Sequence, residues 1–221
     1  MSVEGTSQDL APDIQFAASA PAKVNLHLGV GEVRADGYHD LASVFHAVDQ
    51  RDIVRLRLDN SSAGVNPAAA EAAPGSVVTG IDTKWFFNIQ LEENLDTPKN
   101  LAWRAVDAVV DAYRADNPGA SLLDLPKVRI EIEKGIFVAG GMAGGSADAA
   151  AAMVAANAYL KYLTGGELDE LRLLEIAKGL GADVPFALMG GNAIGTGRGD
   201  ELVEMLSLIH ISEPTRQAEI S

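Results

Sequence analysis

Residues 140 to 148 read Gly-Gly-Met-Ala-Gly-Gly-Ser-Ala-Asp, between an alternating apolar stretch and a long alanine-rich one. The four glycines let the backbone come close to a ligand without Cβ obstruction and adopt positive φ. A helix starting here would aim its free N–H groups and the positive end of its dipole into the loop, which suits a phosphate. Ser146 could cap that helix, donate to a phosphate oxygen or hold a metal ion. A turn needed only for close strand–helix contact has the same composition, so the glycines alone do not choose between the two readings. Two familiar nucleotide loops are excluded. No lysine closes the glycines as a Walker A loop requires, and the G-x-G-x-x-G spacing of dinucleotide folds is absent.

Two more side chains could take part in chemistry. Lys23 lies with Asn25 and His27 on one side of an alternation against Val24, Leu26, Leu28 and Val30, the period-2 pattern of a half-buried strand. Asp183 sits in the segment Gly-Ala-Asp-Val-Pro-Phe. Taken singly, the lysine reads as a solvated charge and the aspartate as a turn or cap residue. The sequon Asn60-Ser61-Ser62 and the tripeptide Arg198-Gly199-Asp200 read as chance and as a turn.

The elements that must position these groups follow from periodicity. Residues 1–20 read as a loose N-terminal extension, and a strand covers Lys23 to Val30. After a polar loop from Glu32 to His39, the stretch from Leu41 to Leu58 reads as two strands, the second alternating Val54, Leu56 and Leu58 with Arg55 and Arg57. Residues 60–80, rich in Ala, Gly, Pro and Ser, read as a variable excursion. Leu101, Ala105, Val109 and Tyr113 recur at helical spacing from Asn100 to Arg114. Val128, Ile130 and Ile132 alternate as a strand before the glycine loop, and the alanine-rich helix follows it. A further helix near Leu168 to Leu180 is expected to end at Gly179 and Gly181 in left-handed conformation. Antiparallel-looking strands with helices that come singly and late make an α+β pattern.

Composition sets the outer bounds. With 221 residues the chain has room for one to two domains and a self-sufficient core. A net charge of −14 argues against binding nucleic acid or an anionic membrane, so an anionic ligand must be met by local devices. The absence of cysteine excludes disulfides, thiolate nucleophiles and cysteine-held metals. The first twenty residues lack a signal peptide's basic region, and no apolar run reaches the roughly 18 residues of a membrane span, so a soluble cytoplasmic protein is expected.

The segments PAKVNLHLGV, RADGYHDLASVFHAVD, KNLAWRA, VAGGMAGGSADAAA and GLGADVPF occur in that order. Together they resemble the galactokinase–homoserine kinase–mevalonate kinase–phosphomevalonate kinase (GHMP) superfamily over about residues 18 to 206. Within it they are most similar to the branch serving non-mevalonate isoprenoid synthesis. The resemblance implies the N-terminal lobe of that fold, of the ribosomal protein S5 domain 2-like type. It also implies ATP-dependent phosphorylation of the 2-hydroxyl of a diphosphocytidyl-methylerythritol, a small-molecule substrate. By the same resemblance Asp183 is the base and Lys23 assists it. Phe137, Val138, Ala139, Gly140, Gly141, Met142, Ala143, Gly144, Gly145, Ser146 and Ala147 wrap the ATP phosphates. Asn100 and Asp148 lie near the adenosine, and Lys134 leads into the loop. Asn25, Tyr38, His39 and Phe45 line the cytidine side. Mg²⁺ is expected with the ATP, with Ser146 the candidate to hold it. Nothing in the sequence gives the oligomeric state.

The chain departs from the family pattern in two places. Phe137 stands where the family usually has proline, losing a fixed φ. The family continues after residue 206 into a second lobe, whereas this chain closes with SLIHISEPTRQAEIS. Residues 207–221 are therefore expected to be foreign, with the join at Leu206 or Ser207, and most of the second lobe to be missing. The competing functions are another GHMP small-molecule kinase and a non-catalytic nucleotide-binding fragment.

Overall fold

Alternation of branched apolar and charged residues builds the sheet, and alanine-rich segments build the helices laid on it. A computed structural model describes residues 14–33, 39–59, 72–85, 94–118, 125–137, 140–197 and 199–205. The elements run β1 (Gln15–Val33), β2 (His39–Leu58), β3 (Val78–Trp85), α1 (Leu101–Asp116), β4 (Val128–Lys134), α2 (Gly144–Thr164), α3 (Glu170–Leu180), α4 (Val184–Met189), β5 (Asn192–Thr196) and β6 (Glu201–Glu204). They form one six-stranded sheet in the order β3-β4-β2-β5-β6, with β1 paired to β2. Every pair is antiparallel except β3 with β4, which α1 connects in sequence. This is the mixed α+β arrangement expected of the N-terminal GHMP lobe.

One face of β2 and β4 carries Val54, Leu56, Leu58, Val128, Ile130 and Ile132, all buried under the helices. The other carries Arg55, Arg57, Glu131 and Glu133, joined by the ion pairs Arg55–Glu133 at 2.8 Å and Arg57–Glu131 at 3.0 Å. α2 contacts α1, β1 and β2, and its alanines 149–152, 155 and 156 are buried, so neighbours can approach its backbone closely. Phe16 is held against Tyr159 of this helix, with ring centroids 5.7 Å apart. A second small core joins Phe45 of β2, Phe186 of α4 and Ala193 of β5.

The structure revises several elements. β1 starts at Gln15, inside the stretch read as an extension, because Ile14, Phe16, Ala18 and Ala20 turn to the core at period 2, a signal blurred by the alanine between them at position 17. The two strands expected from Leu41 to Leu58 are one strand, β2. β3 begins at Val78 within the expected excursion, its Val78 and Ile81 buried, while β5, β6 and the short helix α4 carried no clear periodicity. Gly179 is inside α3, and Gly181 closes the helix at φ 176°, an extended rather than left-handed stop; the left-handed one is Gly165 after α2, at φ 77°. The apolar side of β1 is also not covered: Leu26, Leu28 and Val30 are 65, 55 and 61% exposed. A register shift between Asn25 and His27 breaks the alternation, and among the described residues β1 pairs with β2 alone.

Candidate active site

Lys23 and Asp183 come from distant parts of the chain and meet. Lys23 lies on β1, and Asp183 occupies the N-cap position of α4, whose first turn contains Pro185. The Asp183 carboxylate makes no capping bond, and its Oδ2 lies 3.7 Å from Lys23 Nζ. Lys23 is held in place rather than solvated. Its ammonium donates to Asn25 Oδ1 at 2.7 Å and sits 5.4 Å from the centre of the Phe45 ring. Asn25 Nδ2 in turn donates to Ser43 Oγ at 2.5 Å, and Ser43 Oγ donates to the His27 carbonyl at 2.9 Å. Phe45 is buried and stacked on Phe186, with centroids 5.0 Å apart, so its ring supports the lysine. His39 opens β2 opposite Val33, and Tyr38 lies outside the described residues.

The glycine loop is tied to this pair. The backbone N–H of Lys23 donates to the Met142 carbonyl at 3.2 Å. Ala143 then takes φ 57°, the one positive-φ non-glycine among the described residues, and α2 starts at Gly144. The first intrahelical bond runs from Ala147 N–H to the Ala143 carbonyl at 3.0 Å, leaving the amides of residues 144–146 without a carbonyl inside the helix. The N-cap residue, Ala143, supplies no side-chain cap. Ser146 is therefore not the cap: it sits half-buried in the first turn, one of three residues whose N–H groups precede the first intrahelical bond. Gly140, Gly141, Gly144 and Gly145 are described, while Val138 and Ala139 lie outside the described residues.

Beside the loop is a cavity of about 330 Å³ lined by Trp85, Leu95, Leu101, Ile136, Lys134 and Asp148, together with Asn100, Phe137 and loop residues 141–145. Asn100 is engaged elsewhere: its Oδ1 accepts from Ala102 N–H at 2.9 Å as the cap of α1, and its Nδ2 donates to the Leu95 carbonyl at 3.0 Å.

Below the loop lies a buried ionic cluster. Lys134 Nζ donates to Asp148 Oδ2 at 2.7 Å and, closely, to Asp52 Oδ2. Asp52 Oδ1 accepts from the backbone N–H groups of Gly135 at 2.7 Å and Ile136 at 2.8 Å. Asp148 Oδ1 is buried with no hydrogen-bond partner among the described residues. Burial pushes the Asp148 carboxyl up to about 7, against the opposing pull of Lys134, and the nearby Asp52 adds to the rise. Sequence reasoning passed over Asp52. The signal was there: it shares the alternation of Val54, Leu56 and Leu58, so a charged residue stands in a buried phase.

A family model described as "GHMP kinases N terminal domain" matches residues 100–191. The chain is 43% identical over 194 residues to the 4-diphosphocytidyl-2-C-methyl-D-erythritol kinase of Corynebacterium efficiens, a match covering 88% of this chain and 55% of that protein. It is 44% identical over 188 residues to the kinase of the same name from Saccharopolyspora erythraea, covering 85% and 49%. A crystal structure of a 4-(cytidine 5'-diphospho)-2C-methyl-D-erythritol kinase matches with a TM-score of 0.56 at 32% identity, over 86% of this chain and 55% of that one. The chain spans about half the length of the curated relatives it matches. The glycine loop, its helix and the aspartate paired with Lys23 thus all lie within residues 100–191, the segment that the GHMP kinases N terminal domain model matches.

Proposed function

We propose that this chain carries the donor site and the catalytic pair of an ATP-dependent kinase that phosphorylates the 2-hydroxyl of 4-diphosphocytidyl-2-C-methyl-D-erythritol. One observation carries the reading. The Lys23 ammonium lies 3.7 Å from the Asp183 carboxylate, and the lysine's own backbone N–H is bonded to the glycine loop. A hydroxyl at Asp183 and a phosphate on the loop amides would then be neighbours. Phosphoryl transfer needs in-line positioning and charge neutralisation above all. Asp183 accepts the hydroxyl proton as the new O–P bond forms and the bond to the leaving ADP breaks. Lys23 steadies the negative charge that develops between them. The amides of residues 144–146, with the dipole of α2 behind them, hold the phosphates. That local arrangement lets a protein of charge −14 bind a polyanion.

Supporting the substrate are the names of relatives at 43 and 44% identity and the position of Asn25, two residues from Lys23 and bonded to it. The metal in this reading arrives on the nucleotide. Mg²⁺ so bound would neutralise phosphate charge, and the Ser146 hydroxyl in the first turn of α2 would hold it. No helix among the described residues is long and apolar enough to cross a membrane; the proposed use of ATP as donor is the reason to place the reaction in the cytoplasm.

The test is to incubate the chain with ATP and the diphosphocytidyl substrate and follow product by ³¹P NMR. The expected result is a 2-phosphate monoester and ADP in equal amounts. Asp183→Asn should lower turnover by at least about a hundredfold with ATP affinity nearly intact. Near-normal turnover in that variant removes the base assignment. Phosphorylation of homoserine or mevalonate instead would make the chain a different GHMP kinase, and ATP binding without transfer a nucleotide-binding module.

A further inference from the structure

We propose that Asp52 is the positioning residue of the glycine loop, holding its two ends together so that the first-turn amides of α2 face the phosphates. The proposal rests on the nucleotide reading above. Asp52 is 0% exposed, and its carboxylate is shared between three donors. Oδ1 takes the N–H groups of Gly135 and Ile136, where the loop begins. Oδ2 takes the Lys134 ammonium. At the far end of the loop, a Cβ on Gly144 would lie 3.2 Å from Lys134 Nζ and 3.6 Å from Asp52 Oδ2. The first residue of α2 therefore rests on the same ion pair that anchors the start of the loop.

Nearby contacts leave this anchor little play. A Cβ on Gly135 would run into the Arg51 carbonyl, so β2 and the loop start are in direct backbone contact. Gln50 Nε2 donates to the Gly135 carbonyl at 2.7 Å, so residues 50 and 52 both grip it. The loop is hung at three points: Asp52 at its start, the Lys134–Asp52 pair under its end, and Lys23 N–H on Met142 between them. A buried ion pair adds little net stability over apolar residues of the same volume, so stability alone does not account for a charge here. Fixing two chain segments to one carboxylate does.

The prediction separates positioning from general support. Asp52→Leu removes all three bonds; Asp52→Asn keeps one acceptor and drops the charge opposite Lys134. We expect Asp52→Leu to weaken ATP binding by about tenfold or more while AMP binding changes by less than about threefold, since the lost alignment concerns the outer phosphates. Asp52→Asn should fall between wild type and Asp52→Leu. Calorimetric titration of ATP and AMP into the chain measures this. Amide exchange at Gly135 and Ile136, followed without nucleotide, should lose protection in Asp52→Leu and lose part of it in Asp52→Asn, with α3 unchanged. Unchanged ATP affinity, or an equal loss for ATP and AMP, overturns the proposal. Should Asp52→Leu not fold, Asp52→Asn decides by the same two measurements, and wild-type behaviour in both overturns it. If the wild-type chain binds neither nucleotide, the nucleotide reading fails by itself, and the exchange measurement still decides whether Asp52 anchors the loop.

Discussion

Asp148 shows how one side chain can answer to burial and charge at once. It is 6% exposed, it shares Lys134 with Asp52, and one of its oxygens has no partner among the described residues. A single ammonium cannot neutralise two buried carboxylates, so the less well hydrogen-bonded one holds its proton. Asp52 accepts from two backbone N–H groups, whereas Asp148 shares only the Lys134 ammonium, which fits a carboxyl at Asp148 pushed up to about 7. The sign follows from linkage. With the folded value above the ordinary 3.8, the folded chain binds the proton more tightly. This contribution to stability is complete below about pH 4 and is lost as pH rises to about 7. Asp148→Asn, which cannot ionise, should therefore gain stability relative to wild type across that window. Urea midpoints at pH 4.5, 6 and 7.5 check this; a difference that stays constant with pH would refute it.

At the scale of elements, the glycine loop and α2 were the most legible part of the sequence. Glycine spacing, a preceding β alternation and a following alanine run located the turn and the helix. The same reasoning could not fix the cap, because it looked to Ser146 for a side-chain acceptor where the structure uses Ala143 in a left-handed turn. Lys23 and Asp183 stood out singly but were joined only through the ordered set of family segments, since nothing local says that residues 160 positions apart will sit 3.7 Å from each other. β1 was half legible: the strand was right, but its expected alternation of buried and exposed residues was not, because a bulge at Asn25/His27 breaks it, and a bulge leaves no mark in the composition. Ala143 itself supports a prediction. A left-handed alanine costs about 1–2 kcal/mol, while glycine gives back about 0.5–1 kcal/mol through its freer unfolded chain. Relief wins, so Ala143→Gly should stabilise the fold by about 0.5–1 kcal/mol, read as a higher denaturant midpoint at unchanged slope. Ala143→Val, β-branched at φ 57°, should lower it.

For the whole molecule, two surface properties oppose each other. The described part of the chain exposes Leu26, Leu28 and Val30 on β1 and Val203, 66% exposed, on β6. Contiguous apolar side chains on an edge strand favour self-association, both by burial and by the unpaired backbone beside them. A charge of −14 works the other way, since two copies repel before the strands can meet. The balance depends on salt, because the range of repulsion shrinks from about 30 Å at 0.01 M to about 3 Å at 1 M ionic strength, while apolar burial is little affected. The chain should therefore remain dispersed in dilute buffer and associate as sodium chloride rises toward 1 M, seen as growing light scattering. Replacing Leu26, Val30 and Val203 with threonine should remove most of that rise and shift stability by no more than about 0.5 kcal/mol per site, since these side chains pack on little. Scattering that is flat with salt in the wild-type chain would mean that charge is not what keeps the copies apart; scattering that rises equally in the triple variant would mean that they associate through some other surface.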